Sequence, residues 1–462
     1  MNIDLSQSFP FQATPDQQEA LDLLNMFFNS NNALQVFILR GYAGTGKTTI
    51  LAHLAKSLQK QNKVVLLAPT GRAAKVLSSY CGIPAFTIHK RIYWLAEGAE
   101  GDLNFVLQKN KFTDTLFIVD ESSMISSSSA GQRDVLEDLM RFVYRAKGCK
   151  VIFAGDNAQL PPVELDYSPA LDAKFMEDRF NLPVTEIELN TVVRQENESG
   201  ILHNATQLRR LIQNHTTAIE FDVNETDFKS INGLELQEYI EESMNNYGVE
   251  DILFITRSNK RANQFNNEIR NRLLFREEKI ETSDILMSVK NNYHWLNSEE
   301  TKDDFIANGE SFEILKVLNK ESMYGFDFAD VNIRFIDNRI PDIDVKVLLD
   351  SLMVEAPSIS TSEIRNLYYK IFEDYVAQGE GRKAKQLTLK DPYYNAIQCK
   401  FSYAVTCHKA QGGQWSAVFV DHGYLTDEMV DENLLRWLYT AITRAKKQVY
   451  LVNFNSNFIA VS

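Results

Sequence analysis

Short apolar runs alternate along the chain with stretches whose apolar residues recur at helical spacing. Val36-Phe37-Ile38-Leu39, Lys63 to Ala68, Leu116 to Val119 and Lys150 to Gly155 read as buried strands. Asp16 to Phe28 carries Ala20, Leu21, Leu24 and Phe27 on one helical face, with Thr14 as N-cap and Pro15 at the first helical position. Thr49 to Ala55 and the segment from Ala73 onward have the same period. Strand and helix in alternation predict an α/β fold built on a parallel sheet. A second α/β rhythm begins near residue 200, with a strand at Asp251 to Thr256, a turn at Arg257-Ser258-Asn259 and a basic helix over 260–275. It resumes with strands at Ser402 to Thr406 and Trp415 to Val420, a helix through Trp437 to Ile442 and a strand at Gln448 to Asn453.

Two stretches break the rhythm. Residues 91–112 are short and mixed, with Trp94 and Phe105, and fit a protruding hairpin. Residues 276–398 contain short strands at Ile285 to Val289, Phe312 to Leu318 and Val331 to Ile336, with a hairpin-type turn at Asn308-Gly309-Glu310. They predict a small β-barrel insertion, with a helix over Ser362 to Val376 inside it. Residues 215–251, rich in Asp and Glu, read as a solvated face.

Chemistry concentrates at strand ends. Gly41-Tyr42-Ala43-Gly44-Thr45-Gly46-Lys47-Thr48 fits G-x-x-x-x-G-K-[ST] between a strand and a helix, the context a phosphate-binding loop requires. Glycines let backbone N–H groups turn toward a β-phosphate, and the helix N-terminus adds positive dipole charge there. Lys47 is placed to reach the β- and γ-phosphates, and the Thr48 hydroxyl to ligate Mg²⁺. The Leu116 strand ends in Asp120-Glu121. Asp120 suits Mg²⁺, and Glu121 suits activation of the attacking water. No Asn-Lys-x-Asp guanine-reading motif is present, so ATP is the expected nucleotide. Pro69-Thr70-Gly71-Arg72 and Thr87-Ile88-His89-Lys90, also at strand ends, could hold phosphates of a nucleic-acid strand crossing the sheet.

The 462 residues allow two to four domains. The net charge of −14 argues against a broadly basic surface and leaves room for a basic groove on an acidic body. Four scattered cysteines form no C-x-x-C pair, so neither a disulfide framework nor a zinc site is expected. No signal peptide or membrane-length apolar run is evident, and a cytoplasmic protein with no membrane partner is expected.

In order along the chain, Gly41 to Thr48, Ala68 to Arg72, Thr87 to Lys90, Asp120 to Met124, Gly155 to Gln159, Val193-Arg194-Gln195, Thr406 to Gly412 and Tyr439 to Arg444 resemble the motifs of superfamily one DNA helicases. The wording is most similar to the RecD/Dda-like branch. The resemblance implies two RecA-like P-loop domains, residues 1–198 and residues 199–275 plus 399–462. It makes 91–112 a duplex-splitting pin and 276–398 an SH3-like β-rich insertion with a helical extension. It implies ATP-binding positions at Gln17, Gly41, Ala43, Gly44, Thr45, Gly46, Lys47, Thr48, Thr49, Asp120 and Gly412, with Mg²⁺ on Thr48 and Asp120. Lys47, Glu121, Gln159, Arg194 and Arg444 become the catalytic set. Pro69, Thr70, Arg72, Thr87, His89, Lys90, Phe105, Thr256, Asn259, Thr406, His408 and Lys409 become DNA contacts. The implied activity is ATP-driven 5′-to-3′ travel along single-stranded DNA with unwinding at duplex junctions, by a monomer. A translocase or a subunit of a nuclease or remodelling complex is the alternative.

Overall fold

Strands apolar on both faces must be covered on both, which favours parallel sheets clad in helices. In this computed structural model, which describes residues 5–6, 8–59, 63–97, 103–127, 134–193, 199–224, 226–296, 305–336 and 340–460, six such strands form one parallel sheet. Its order is Ala85–Thr87, Val64–Ala68, Leu116–Val119, Lys150–Gly155, Val36–Gly41, Val184–Leu189. Val36 to Leu39 and Phe117 to Val119 are wholly out of solvent, each side chain contributing about 1.5–3 kcal/mol by burial. Ala20, Leu51 and Leu77 cover one face, and Leu136, Leu139 and Met140 the other. The helix Pro15–Asn29 opens with a capping box between Thr14 and Gln17 and has Pro15 in its first turn.

A second parallel sheet runs in the order Ala404–Thr406, Ile252–Thr256, Trp415–Asp421, Ala445–Val452, Phe228–Ile231. Its last strand corrects the reading of 215–251 as a solvated face. Phe228 and Ile231 are buried beside Val449 and Val452, and two apolar residues in four are too few to show a period. The basic helix predicted over 260–275 is α-helical only over Asn259–Glu268 and ends in a π-helical turn, Ile269–Leu273. Arg270 points inward, where Nε and an Nη donate to the buried Asp284 carboxylate at 2.9 and 3.0 Å.

The insertion is a closed five-stranded barrel of Ile285–Ser288, Ser311–Met323, Phe326–Phe335, Ile343–Leu348 and Ile397–Phe401. Two of these strands are longer than the apolar pattern showed: the outer half of Ser311–Met323 is mostly exposed, while the missed half of Phe326–Phe335 buries Phe328 and Ala329. The long hairpin turns at Tyr324-Gly325, both at positive φ, and the turn expected at Asn308 to Glu310 is a separate one that leads into the first long strand. Tyr93–Glu97 and Leu103–Leu107 pair as the predicted antiparallel hairpin.

Candidate nucleotide cleft and nucleic-acid groove

The loop Gly41 to Thr48 has the backbone that phosphate wrapping needs. Gly44 and Gly46 hold φ of +81° and +86°. A Cβ on Gly41 would sit 2.8 Å from the Thr45 hydroxyl and 2.9 Å from the Leu189 Cβ, so only glycine fits. Lys47 folds back onto its own loop, donating to the Gly41 and Tyr42 carbonyls. Thr48 and Thr49 stand at the start of the helix Lys47–Gln59 and make no side-chain hydrogen bond among the described residues. Gln17 lies against this loop, 4% exposed, but its amide does not present a free edge to a base. Nε2 donates to the Thr45 carbonyl at 2.9 Å and Oε1 accepts from the Thr14 amide at 3.1 Å, so here Gln17 fastens the loop to the first helix.

Asp120 ends its strand facing the loop. Burial and the neighbouring Glu121 raise its carboxyl to about 7, against the opposing pull of the hydrogen bond from the Glu121 amide and of Lys47. Glu121 sits in the left-handed region at φ +52°, an uncommon conformation for a non-glycine residue, and its amide donates to Asp120 Oδ1 at 2.9 Å. A glycine-built loop, a lysine, a buried carboxyl and a threonine hydroxyl without a partner among the described residues are the donor set that magnesium–ATP fits.

Across the cleft the second sheet reaches directly into this loop. Tyr439, on the helix Glu432–Ile442, is 1% exposed. Its hydroxyl accepts from the Ala43 amide at 2.9 Å and donates to Asp156 Oδ2 at 2.7 Å. From the same helix, the Thr440 hydroxyl accepts from the Leu160 amide at 2.8 Å, and the Arg436 guanidinium donates to the Asn157 carbonyl. Gln411 Nε2 donates to the Leu160 carbonyl at 2.9 Å. Gln159, in the middle of this interlock, is buried with its Oε1 unpartnered among the described residues. Arg444 is buried and held only by neutral acceptors, the Thr440 carbonyl at 3.1 Å, the Thr443 hydroxyl at 3.2 Å and the Gly413 carbonyl at 3.4 Å. No carboxylate pairs with it among the described residues, which leaves its charge available to a ligand. Arg194 lies outside the described residues; the preceding Val193 amide donates to the Gly44 carbonyl at 3.0 Å.

A groove of about 850 Å³ lies between the two sheets and the barrel. It gathers Pro69, Thr70, Arg72, Thr87 and His89 from the first sheet and His408 and Lys409 from the second, seven positions expected at a nucleic-acid strand. Lys290, Asn291 and Ala307 to Gly309 of the insertion close its third side, a contribution the apolar pattern could not show. Two of its hydroxyls are already used. Thr70 caps the helix Gly71–Cys81 through the Ala73 amide at 3.2 Å, and Thr87 caps the next helix through the Lys90 amide at 3.1 Å. Arg72 stacks on Trp415 of the second sheet at 4.4 Å, and burial pushes its guanidinium down to about 10. Burial and the nearby Lys400 push Lys409 down to about 8. Thr406 and Asn259 are half-buried at the neighbouring strand and helix ends.

Three expected positions fall elsewhere. Gly412 is not at the phosphates: a Cβ there would press on Ala73 at 2.8 Å and Thr70 at 3.3 Å, so it marks a close approach of the two sheets. Thr256 is wholly buried, donating to the Ser258 carbonyl at 3.1 Å and shared with that of Val405 at 3.4 Å, and serves the strand end rather than a ligand. Phe105 packs among His89, Tyr93 and Tyr293, with centroids 5.5 to 6.2 Å apart, because its strand position faces inward. The exposed face of that hairpin carries Trp94, 53% exposed, opposite Val106.

Comparison with known proteins meets this geometry from outside. Residues 12–224 match an AAA domain, and residues 401–452 match the UvrD-like helicase C-terminal domain. The chain is 23% identical to the RecBCD enzyme subunit RecD of Buchnera aphidicola, over 96% of this chain and 77% of that one. It is also 23% identical to the ATP-dependent DNA helicase dda of Enterobacteria phage T4, over 90% and 93%. With these two domain matches in this order, the chain is similar to the RecD, Dda and Pif1 helicases. The relatives are named ATP-dependent helicases, and the chain is an ATP-hydrolysing enzyme of that kind. The fold agrees: the Pif1 helicase from Bacteroides, solved with ADP-AlF3 and single-stranded DNA, superposes with a TM-score of 0.51 at 16% identity over 98% of this chain and 95% of that one. A Methanocaldococcus jannaschii relative, 26% identical over 95% of this chain, is much longer, and the chain spans 38% of its length. Among the described residues no helix is long and apolar enough to cross a membrane, and no cluster of three or more metal-ligating side chains occurs.

Proposed function

We propose that the chain is an ATP-driven DNA helicase that moves 5′-to-3′ along single-stranded DNA held in the groove. Residues 1–198 form its first motor domain, 199–275 with 399–462 its second, and 276–398 the wall that closes the groove. The observation that carries this reading is the groove itself, where strand-end residues of both sheets converge beside a cleft tied to the phosphate loop. Motion of one sheet relative to the other changes both sites at once.

In the cleft, Thr48 and Asp120 would hold Mg²⁺, which screens the charge of the phosphates. Glu121 takes the proton of the attacking water. Lys47 leaves its loop carbonyls for the phosphates, and Arg444 with Arg194 supplies positive charge where it develops in the transition state. Gln159 couples this chemistry to the groove, since its strand end is bonded to the second sheet through Leu160 and Asn157. Partial duplexes with a 5′ tail and with a 3′ tail test the reading, with ATP and Mg²⁺ present and Lys47→Ala as control. Unwinding of the 5′-tailed substrate alone is expected, and unwinding from the 3′ tail overturns the direction.

The similarity to a RecBCD subunit favours a second reading, a translocase within a larger assembly. Its signature is strand-stimulated ATP hydrolysis by the purified chain with no strand separation.

A further inference from the structure

We infer that Glu164 gives the groove a base preference: its carboxylate accepts hydrogen bonds from a guanine of the bound strand, so a strand with guanine at that place is held more tightly than one with thymine. This inference rests on the nucleic-acid reading of the groove. Glu164 is the one carboxylate in the groove's lining. The cations of the lining are Arg72, Lys290 and Lys409, one each from the first sheet's side, the insertion and the second sheet's side. They suit the phosphates of a strand. A carboxylate turned to those phosphates would repel them, so Glu164 fits only against the bases or the sugars. Its neighbours suit bases. Pro162, Val163, Leu165 and Met124 line the groove with it, and none carries a charge. Val163 is 67% exposed. These residues stand together because the strands Leu116–Val119 and Lys150–Gly155 pair in parallel. The loops after them are tied by the Ser168 hydroxyl, which donates to the Ser123 carbonyl at 3.1 Å.

The backbone singles out the same residue. The Leu165 amide donates to the Pro162 carbonyl at 3.0 Å, closing a four-residue turn in which Glu164 is third. Glu164 holds φ of +69°. Glycine or asparagine is the usual choice at a left-handed third position, and a glutamate there is strained. Its side chain is exposed and makes no hydrogen bond or ion pair among the described residues, so no contact within the fold accounts for the strained choice. The root of the turn is fixed, since the Leu160 amide donates to the Thr440 hydroxyl at 2.8 Å and the Leu160 carbonyl accepts from Gln411 at 2.9 Å. An ionised glutamate can only accept hydrogen bonds. Guanine alone carries two donors side by side, N1–H and the 2-amino group, on an edge that a single strand leaves free, and two carboxylate oxygens match them. Adenine and cytosine offer one amino group each. Thymine offers a single N3–H between two carbonyl oxygens, which repel a carboxylate.

Oligothymidylates with one guanine placed at successive positions test the preference, bound at one fixed salt concentration to the wild-type chain and to the Glu164→Gln and Glu164→Gly variants. In the wild type, guanine at one position should tighten binding about tenfold, the low end for hydrogen bonds to a charged group. Hypoxanthine at that position, which lacks the 2-amino group, should lose most of the gain. Both variants should hold the guanine and thymine strands alike, and Glu164→Gly should melt no lower than the wild type because glycine suits the turn. Variants that bind every strand more tightly by one factor and keep the ranking overturn the inference, since the carboxylate would then only repel phosphates. A wild-type chain that ranks ribose above deoxyribose at that position without ranking bases overturns it in favour of the sugar. Thymidylates bound with no guanine preference at any position overturn the base preference and leave the groove intact. No binding of any oligonucleotide by the wild-type chain overturns the groove reading and this inference with it.

Discussion

Lys409 enters the groove with its ammonium pushed down to about 8 by burial and by Lys400. A lysine lowered in this way is charged below that value and neutral above it, so its attraction for a strand phosphate is complete near pH 7 and mostly gone near pH 9. Oligonucleotide affinity should fall about tenfold across that span, if the bound lysine stays charged. Lys290, on the opposite wall, is also lowered by burial. His408, lowered by desolvation, is neutral throughout the window and adds nothing. In Lys409→Arg the slope should shrink, and fluorescence anisotropy against pH measures it. A slope unchanged by the substitution would remove Lys409 from the strand's path.

At the scale of elements, the barrel and the second sheet are joined through one buried carboxylate. Asp284, just ahead of the first barrel strand, accepts from Arg270 at 2.9 and 3.0 Å, from Arg276 at 2.9 Å and from the Tyr403 hydroxyl at 3.2 Å. Removing one partner of a buried ion pair leaves the others uncompensated, so Asp284→Ala should cost about 3–5 kcal/mol in denaturant unfolding. The hairpin is braced by a different device. Phe105 meets Tyr293, which stacks on Phe305 at 4.8 Å. Tyr293→Ala should lower duplex unwinding several-fold while strand-stimulated hydrolysis persists, because a loosened hairpin no longer splits a fork that the motor still pulls; equal loss of both activities would make the contact purely structural. These joints also mark what the sequence could and could not tell. The strands at Val36, Leu116, Lys150 and Ile252 were legible because each is a continuous apolar run at the right length, and the loop Gly41 to Thr48 because its chemistry is local. Arg270 and Phe105 misled for the reverse reason. A basic residue in a polar helix looks solvated until its buried partner comes from another element, and strand parity around a hairpin is set by a register that only the pairing reveals. Gly412 belongs with them, since a close approach between two sheets leaves no mark on the sequence beside it.

Over the whole molecule, the phosphate loop is bonded to the far side of its own cleft. The Ala43 amide, the Tyr439 hydroxyl and the Asp156 carboxylate form one chain of hydrogen bonds from the first sheet to the second and back. Tyr439 stays protonated, since burial holds its hydroxyl well above the usual phenol range, and can therefore always donate to Asp156. Equilibrium binding then carries a symmetry. Whatever factor a non-hydrolysable nucleotide contributes to strand affinity, the strand must return to nucleotide affinity. Tyr439→Phe, which keeps the ring and removes the hydroxyl, should bring that shared factor toward one, seen equally in a titration of nucleotide at saturating strand and of strand at saturating nucleotide. A factor left unchanged would reduce the tyrosine to a brace. A factor that collapses would make a single phenolic oxygen the route by which each ligand senses the other.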